Sequence, residues 1–99
     1  MTINKKLDGN ALTISLEGRL DTGTSPDLER EIKNGLDGVN ELTLDFSGLD
    51  YISSTGLRVL LSAEKIMCRR GGMKIVHAND MVMEVFDITG FKDSSRRTL

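Results

Sequence analysis

The stretch that decides the fold reads Asp45-Phe46-Ser47-Gly48-Leu49-Asp50-Tyr51-Ile52-Ser53-Ser54-Thr55-Gly56-Leu57-Arg58-Val59-Leu60-Leu61. It opens with the apolar/polar alternation of a strand buried on one face, passes a tight loop into three consecutive hydroxyls, and continues as a helix. The first backbone N–H groups of a helix lack intrahelical partners and carry partial positive charge, so a hydroxyl or a phosphate placed there meets ready donors. Ser53, Ser54 and Thr55 therefore mark the one place in this chain suited to a chemical switch.

Downstream of the junction, Arg58, Ser62, Lys65 and Arg69 recur at i, i+4, i+7 and i+11 and predict a helix from roughly Thr55 to Arg70 with one polar stripe. Leu57, Val59, Leu60, Leu61, Ala63, Ile66 and Met67 fill most of the remaining circumference, so this helix is expected to lie against a sheet. Cys68 borders that surface and reads as a small core residue. Gly71-Gly72 predicts a left-handed C-cap, Met73 to His77 a strand, and Asp80 the cap of a short helix with Val82, Val85 and Phe86 inside and Gly90 at its end. Residues 91 to 99 read as a short extended tail.

Upstream, Leu42, Leu44 and Phe46 alternate with Thr43 and Asp45. Leu12, Ile14 and Leu16 alternate in the same way with Thr13, Ser15 and Glu17. Asp8-Gly9-Asn10 sits between two extended runs, Thr2 to Lys6 and Ala11 to Glu17, and predicts a hairpin. Thr24-Ser25-Pro26-Asp27 supplies a capping hydroxyl, a proline suited to a first helical turn and an acid that complements the dipole. A helix from about Pro26 to Leu36 follows, its stripe formed by Leu28, Ile32 and Leu36. The order is strand, strand, helix, strand, helix, strand, helix. That is an α/β fold: a small mixed β-sheet with helices mainly on one face, in a single domain over residues 1–99 with 93–99 as a fraying tail.

Composition excludes several classes of function. Ninety-nine residues hold one modest core. Three Phe, one Tyr and no Trp leave no base-stacking surface, and the densest basic cluster, Arg69, Arg70 and Lys74, belongs to a chain of net charge −2, so no nucleic acid is expected as a partner. The charge is uneven: residues 1–50 carry 5 Lys/Arg against 10 Asp/Glu, and residues 51–99 carry 8 against 5, a difference of −5 against +3. Solvated faces account for this, with a charge-steered protein partner as the sharper alternative. The single cysteine forms no internal disulfide, and no apolar run suits a signal peptide or a membrane span, so the expected location is cytoplasmic and away from membranes.

Catalytic constellations are weak. Asp45 and Asp50 are two carboxylates without further ligands, which gives no metal site. A Ser-His-Asp hydrolase would need Ser54 and the only histidine, His77, within reach of each other, and the chain has no Gly-x-Ser-x-Gly elbow. No glycine-rich phosphate loop is present, so no nucleotide or other cofactor is expected and the chain reads as a receiver of phosphate.

Five motifs in order carry a resemblance: Gly18-Arg19-Leu20-Asp21, Asp45-Phe46-Ser47-Gly48-Leu49, Tyr51-Ile52-Ser53-Ser54-Thr55-Gly56-Leu57, Gly71-Gly72 and Phe86-Asp87-Ile88-Thr89-Gly90-Phe91. Over about residues 3 to 92 the chain resembles a STAS domain of the bacterial anti-sigma-factor antagonists. The resemblance implies a non-enzymatic module that, unphosphorylated, binds an anti-sigma factor that is also a serine kinase and so releases a sigma factor. A phosphatase would act on the phosphorylated form. By the same resemblance the phosphoacceptor falls on Ser54, with Ser53 and Thr55 as alternatives; Ser53 stands where relatives often carry aspartate. Asp21 matches an acid near the loop, and Asp21, Ser53, Ser54, Thr55, Gly56 and Arg58 form the expected partner surface of a monomer. The alternative reading is a STAS scaffold or transport-assembly subunit without a phosphorylation cycle.

Overall fold

The computed structural model describes residues 1–89 and 96–97. The chain forms β1 (Thr2–Asp8), β2 (Ala11–Leu20), α1 (Ser25–Gly35), β3 (Glu41–Ile52), α2 (Ser54–Met67), β4 (Met73–Val76), α3 (Asp80–Thr89) and β5 (Arg96–Arg97). The sheet order is β1-β2-β3-β4-β5, antiparallel between β1 and β2 and parallel thereafter. Right-handed crossovers that all step the same way across a sheet put their helices on one face. That face holds the core: Leu12, Ile14, Leu16 and Leu20 of β2, Leu42, Leu44, Phe46, Leu49 and Ile52 of β3, and Leu28, Leu60, Ala63, Val82 and Phe86 from the helices. Thr13, Ser15, Thr43 and Asp45, on the opposite face, remain partly open to water.

The tight loop expected after Phe46 is instead more strand, with two bulges. Ser15 faces Asp45, Glu17 faces Gly48, Gly18 faces Leu49 and Arg19 faces Tyr51, so β3 takes up one extra residue twice while β2 runs evenly. A one-residue slip sends every later side chain to the other face. Here the two slips change the spacing of the buried residues from two to three, which turns first Leu49 and then Ile52 into the core. A Cβ on Gly48 would stand 2.7 Å from Glu17 Cγ and 3.2 Å from the Leu16 carbonyl oxygen, so glycine lets β3 pass β2 this closely at the first bulge without displacing Glu17. The result is a strand that reaches Ile52, with Ser53 alone between it and α2. β2 likewise runs to Leu20, beyond the expected Glu17.

The remaining boundaries shift for local reasons. α2 ends at Met67, not Arg70, because the N–H groups of Arg70 and Gly72 both return to the Met67 carbonyl, with Gly72 at φ +97°. Cys68 is exposed, not a core residue, and donates its thiol hydrogen to the Lys65 carbonyl at 3.2 Å. At 100° per residue it lies beside Leu61, itself 36% exposed, about a quarter-turn from the buried line of Gly56, Leu60, Ala63 and Met67. α3 is capped by Asn79 in place of Asp80: its Oδ1 accepts the Val82 N–H at 2.8 Å, and its Nδ2 donates to the Leu49 carbonyl at 3.0 Å. Arg96 and Arg97 pair with Lys74 and Ile75 as β5. The expected helix end at Gly90 and the rest of the expected tail lie outside the described residues.

Candidate functional site

Strands β2, β3 and β4 are parallel, so their C-terminal ends reach one edge of the sheet, the edge at which open α/β sheets place their sites. Leu20 and Ile52 face each other there, and the Ser53 N–H donates to the Leu20 carbonyl at 2.8 Å. This bond extends the ladder by one step and stops the strand. Ser53 then keeps an extended backbone (φ −94°, ψ 171°) while its carbonyl accepts the Leu57 N–H at 2.9 Å and its Oγ accepts the Gly56 N–H at 3.2 Å. Ser53 is thus the N-cap of α2.

The three hydroxyls part company at this point. The Ser53 hydroxyl is committed to the cap. Thr55 is half-buried, its Oγ1 3.4 Å from Thr22 Oγ1 in the β2–α1 turn. Ser54 is the first residue of α2 and exposed, and its hydroxyl makes no hydrogen bond among the described residues. Arg58 follows one turn later, also exposed. Gly56 is buried: a Cβ there would lie 2.7 Å from Leu20 Cγ and 3.0 Å from the Leu20 carbonyl oxygen. Glycine is what lets α2 start so close to the end of β2.

Asp21 organises the neighbouring turn. Its Oδ1 accepts the N–H groups of Thr24 at 3.1 Å and Gly23 at 3.0 Å and lies 3.1 Å from the Thr24 hydroxyl, while its carbonyl accepts the Ser25 N–H at 2.8 Å. The Thr24 N–H and then the Thr24 hydroxyl hold the Asp21 carboxyl below the ordinary aspartate value, against an opposing effect of burial and with further help from the Gly23 N–H and the Arg19 charge. Thr24 does not cap α1 through its side chain. Its hydroxyl shares one hydrogen between the Arg19 carbonyl at 2.8 Å and the Asp21 Oδ1 at 3.1 Å and accepts the Asp21 N–H at 2.9 Å, so it braces the turn itself.

The structure therefore brings Asp21, Ser53, Ser54, Thr55 and Gly56 to one edge, with Arg58 a turn beyond. Thr22 joins them although no motif marks it; only the strand end at Leu20 could have pointed to it. The other candidates stand apart. His77 is an exposed residue at φ +62° after β4, and no hydrogen bond links it to Ser54 among the described residues. Asp45 accepts the Ser47 N–H at 3.0 Å within the first bulge. Among the described residues no cluster of three His, Cys, Asp or Glu could hold a metal, and no helix is long and apolar enough to cross a membrane. Arg70 donates from one guanidinium nitrogen to the carbonyls of Leu36 and Val39, which fixes the C-terminus of α1.

Residues 2–98 match the family model described as STAS domain. A Bordetella bronchiseptica protein described as an anti-sigma factor antagonist, BtrV, is 39% identical over 88 residues, 87% of this chain and 75% of its own length. The chain belongs to the STAS domain family, on its anti-sigma factor antagonist branch. The anti-sigma-B factor antagonist of Bacillus subtilis is 26% identical to this STAS domain over 94 residues, 94% of this chain and 86% of that one. Among solved structures, an anti-sigma factor antagonist from Mycobacterium paratuberculosis superposes with a TM-score of 0.88 at 22% identity, covering 97% of this chain and 83% of its own. The antagonist SpoIIAA in its unphosphorylated form gives 0.78 at 15% identity, covering 99% and 88%; its phosphorylated form gives 0.75 at 17% identity, covering 99% and 92%. The STAS fold here thus matches both states of that protein about equally.

Proposed function

We propose that this STAS domain is an anti-sigma-factor antagonist that acts by binding, not by catalysis, and is switched by phosphorylation of Ser54. The unphosphorylated form binds a cytoplasmic anti-sigma factor that is also a serine kinase, through Asp21, Ser53, Ser54, Thr55, Gly56 and Arg58, and so frees a sigma factor. The kinase transfers the γ-phosphoryl group of ATP to the Ser54 Oγ, releasing ADP and the hydroxyl proton. A phosphatase hydrolyses the ester and resets the domain, which works as a monomer and one folded unit.

The observation that carries this reading is the different engagement of the three hydroxyls. Ser53 is committed to its cap and Thr55 is half-buried beside Thr22, while Ser54, at the first turn of α2, is exposed and its hydroxyl makes no hydrogen bond among the described residues. A phosphoserine adds about −1.5 to −2 charge, comparable with the formal net charge of −2 on the whole chain. At a helix start that charge is favourable by about 0.3 to 1 kcal/mol. The fold survives, and the effect falls on the partner, through repulsion and desolvation.

The test is incubation with the cognate kinase and ATP, mapping of the modified residue, and titration of both forms against the anti-sigma factor. Modification at Ser54 with a fall in affinity is the expected result. A phosphate found elsewhere, or equal affinities of the two forms, would overturn the proposal.

A further inference from the structure

Ser54 and Arg58 stand one turn apart on α2, and both are exposed. Residues four apart on a helix share a face, with Cβ atoms about 5–6 Å apart, and side chains lean toward the helix N-terminus. The Cα–Cβ bond of Arg58 therefore tilts toward the turn that Ser54 begins, which puts that turn within reach of its side chain. Ser62 and Lys65 continue the same exposed face of α2, and no carboxylate stands among them.

Arg58 also makes no hydrogen bond or ion pair among the described residues. The salt bridges among the described residues join Lys5 to Glu31, Arg30 to Asp27 and Lys33 to Glu29, and Arg58 takes part in none of them. Two charged groups nearby have partners of their own: Arg19 lies over the Tyr51 ring, 4.4 Å from its centroid, and the Asp21 carboxylate is held by the Thr24 and Gly23 N–H groups, while Asp50 stands exposed near the end of β3. A guanidinium offers a rigid fork that fits phosphate oxygens in pairs, which an ammonium does not.

We propose that Arg58 is the internal counter-ion of a phosphate on Ser54: a positioning residue that holds the phosphate along α2 and is thereby withdrawn from the partner surface. The proposal rests on the reading of Ser54 as the modified residue and adds how the modification acts. Phosphorylation then makes two changes at one spot. A dianion appears, and the cation that an acidic partner surface would meet is neutralised, so the end of α2 passes from positive to negative without any movement of the fold.

The experiment places phosphoserine at position 54 during translation and follows its second ionisation by phosphorus NMR at low salt. Arg58→Gln is expected to raise the midpoint by about 0.2 to 0.7 pH units, the range that exposed ion pairs support. Arg58→Lys keeps the charge and should return most of that shift, whereas Lys65→Gln, farther along the same face, should leave the midpoint where it was. An unchanged midpoint in Arg58→Gln, no recovery in Arg58→Lys, or an equal shift from Lys65→Gln each overturns the pairing. Because the phosphate is installed by translation, these outcomes do not depend on which hydroxyl the kinase selects; a modification mapped elsewhere removes the functional reading and leaves the pairing to the titration.

Discussion

The Ser53 N–H donates to the Leu20 carbonyl at 2.8 Å, and the side chain of that same leucine closes the space over Gly56. The backbone and side chain of one residue thus fix both the start of α2 and the distance at which it passes the end of β2. The exposure of Ser54 follows from this arrangement, since Ser53 and Gly56 on either side of it are held inward.

A methyl group at position 56 tests the close approach. It would overlap Leu20 Cγ at 2.7 Å and crowd the carbonyl oxygen at 3.0 Å. Overpacking of this kind costs about 1 to 3 kcal/mol, against a gain of up to about 1 kcal/mol from removing glycine from a helix. Gly56→Ala is expected to lose about 1 kcal/mol in urea unfolding. A variant as stable as its parent would mean that Leu20 yields freely.

The two serines should separate cleanly by stability. Ser53→Ala removes the cap on the Gly56 N–H and is expected to cost about 1 kcal/mol. Ser54→Ala removes an exposed hydroxyl that makes no hydrogen bond among the described residues, and should stay within about 0.5 kcal/mol of the parent. Phosphate incorporation should show the reverse order, surviving in Ser53→Ala and vanishing in Ser54→Ala. Chemical denaturation paired with labelled ATP reads both.

Much of this was legible in the residues, for identifiable reasons. Leu12, Ile14 and Leu16 alternate without interruption and predict β2, and the stripe of Arg58, Ser62, Lys65 and Arg69 gives the face of α2, because one-sided burial imposes a period. The bulges were not legible. An extra residue breaks the period, and Leu49 and Ile52 look like loop residues until the pairing of Glu17 with Gly48 shows where the phase shifts. Caps misled by proximity: Asp80 and Thr24 have capping chemistry, yet Asn79 and the Asp21 carbonyl reach the backbone N–H groups. The hydroxyl triplet marked the site but not its roles. Those depend on contacts with Leu20 and Thr22, more than thirty residues away in the chain.

Arg70 and Arg69 look alike in the sequence and should behave differently. Arg70 satisfies the Leu36 and Val39 carbonyls at the end of α1, whereas Arg69 is exposed in the turn that follows α2. Hydrogen bonds from a charged donor contribute about 1.5 to 3 kcal/mol when buried, and partial exposure reduces this. Arg70→Ala is expected to cost about 1 to 2 kcal/mol, which for a domain of this size lowers the melting temperature by about 4 to 8 °C per kcal/mol. Arg69→Ala should stay within about 0.5 kcal/mol. Calorimetry on the two variants measures the contrast, and equal losses would count against the carbonyl contacts.

The β2–α1 turn should depend on pH through Asp21. The N–H groups of Thr24 and Gly23, with the Thr24 hydroxyl and the Arg19 charge, favour its ionised form, so its folded-state pKa lies below the ordinary 3.8. A carboxyl whose pKa is depressed by folding contributes stability that is fully present above its unfolded value and is lost as pH falls through the folded one. Asp21→Asn, which keeps an acceptor oxygen but not the charge, should therefore be less stable than the parent at neutral pH. The gap should close only at pH values below 3.8. Urea unfolding of both proteins across that range gives the difference curve, and carboxyl NMR gives the Asp21 midpoint directly. A gap that persists unchanged into strong acid would assign the loss to amide geometry and not to charge.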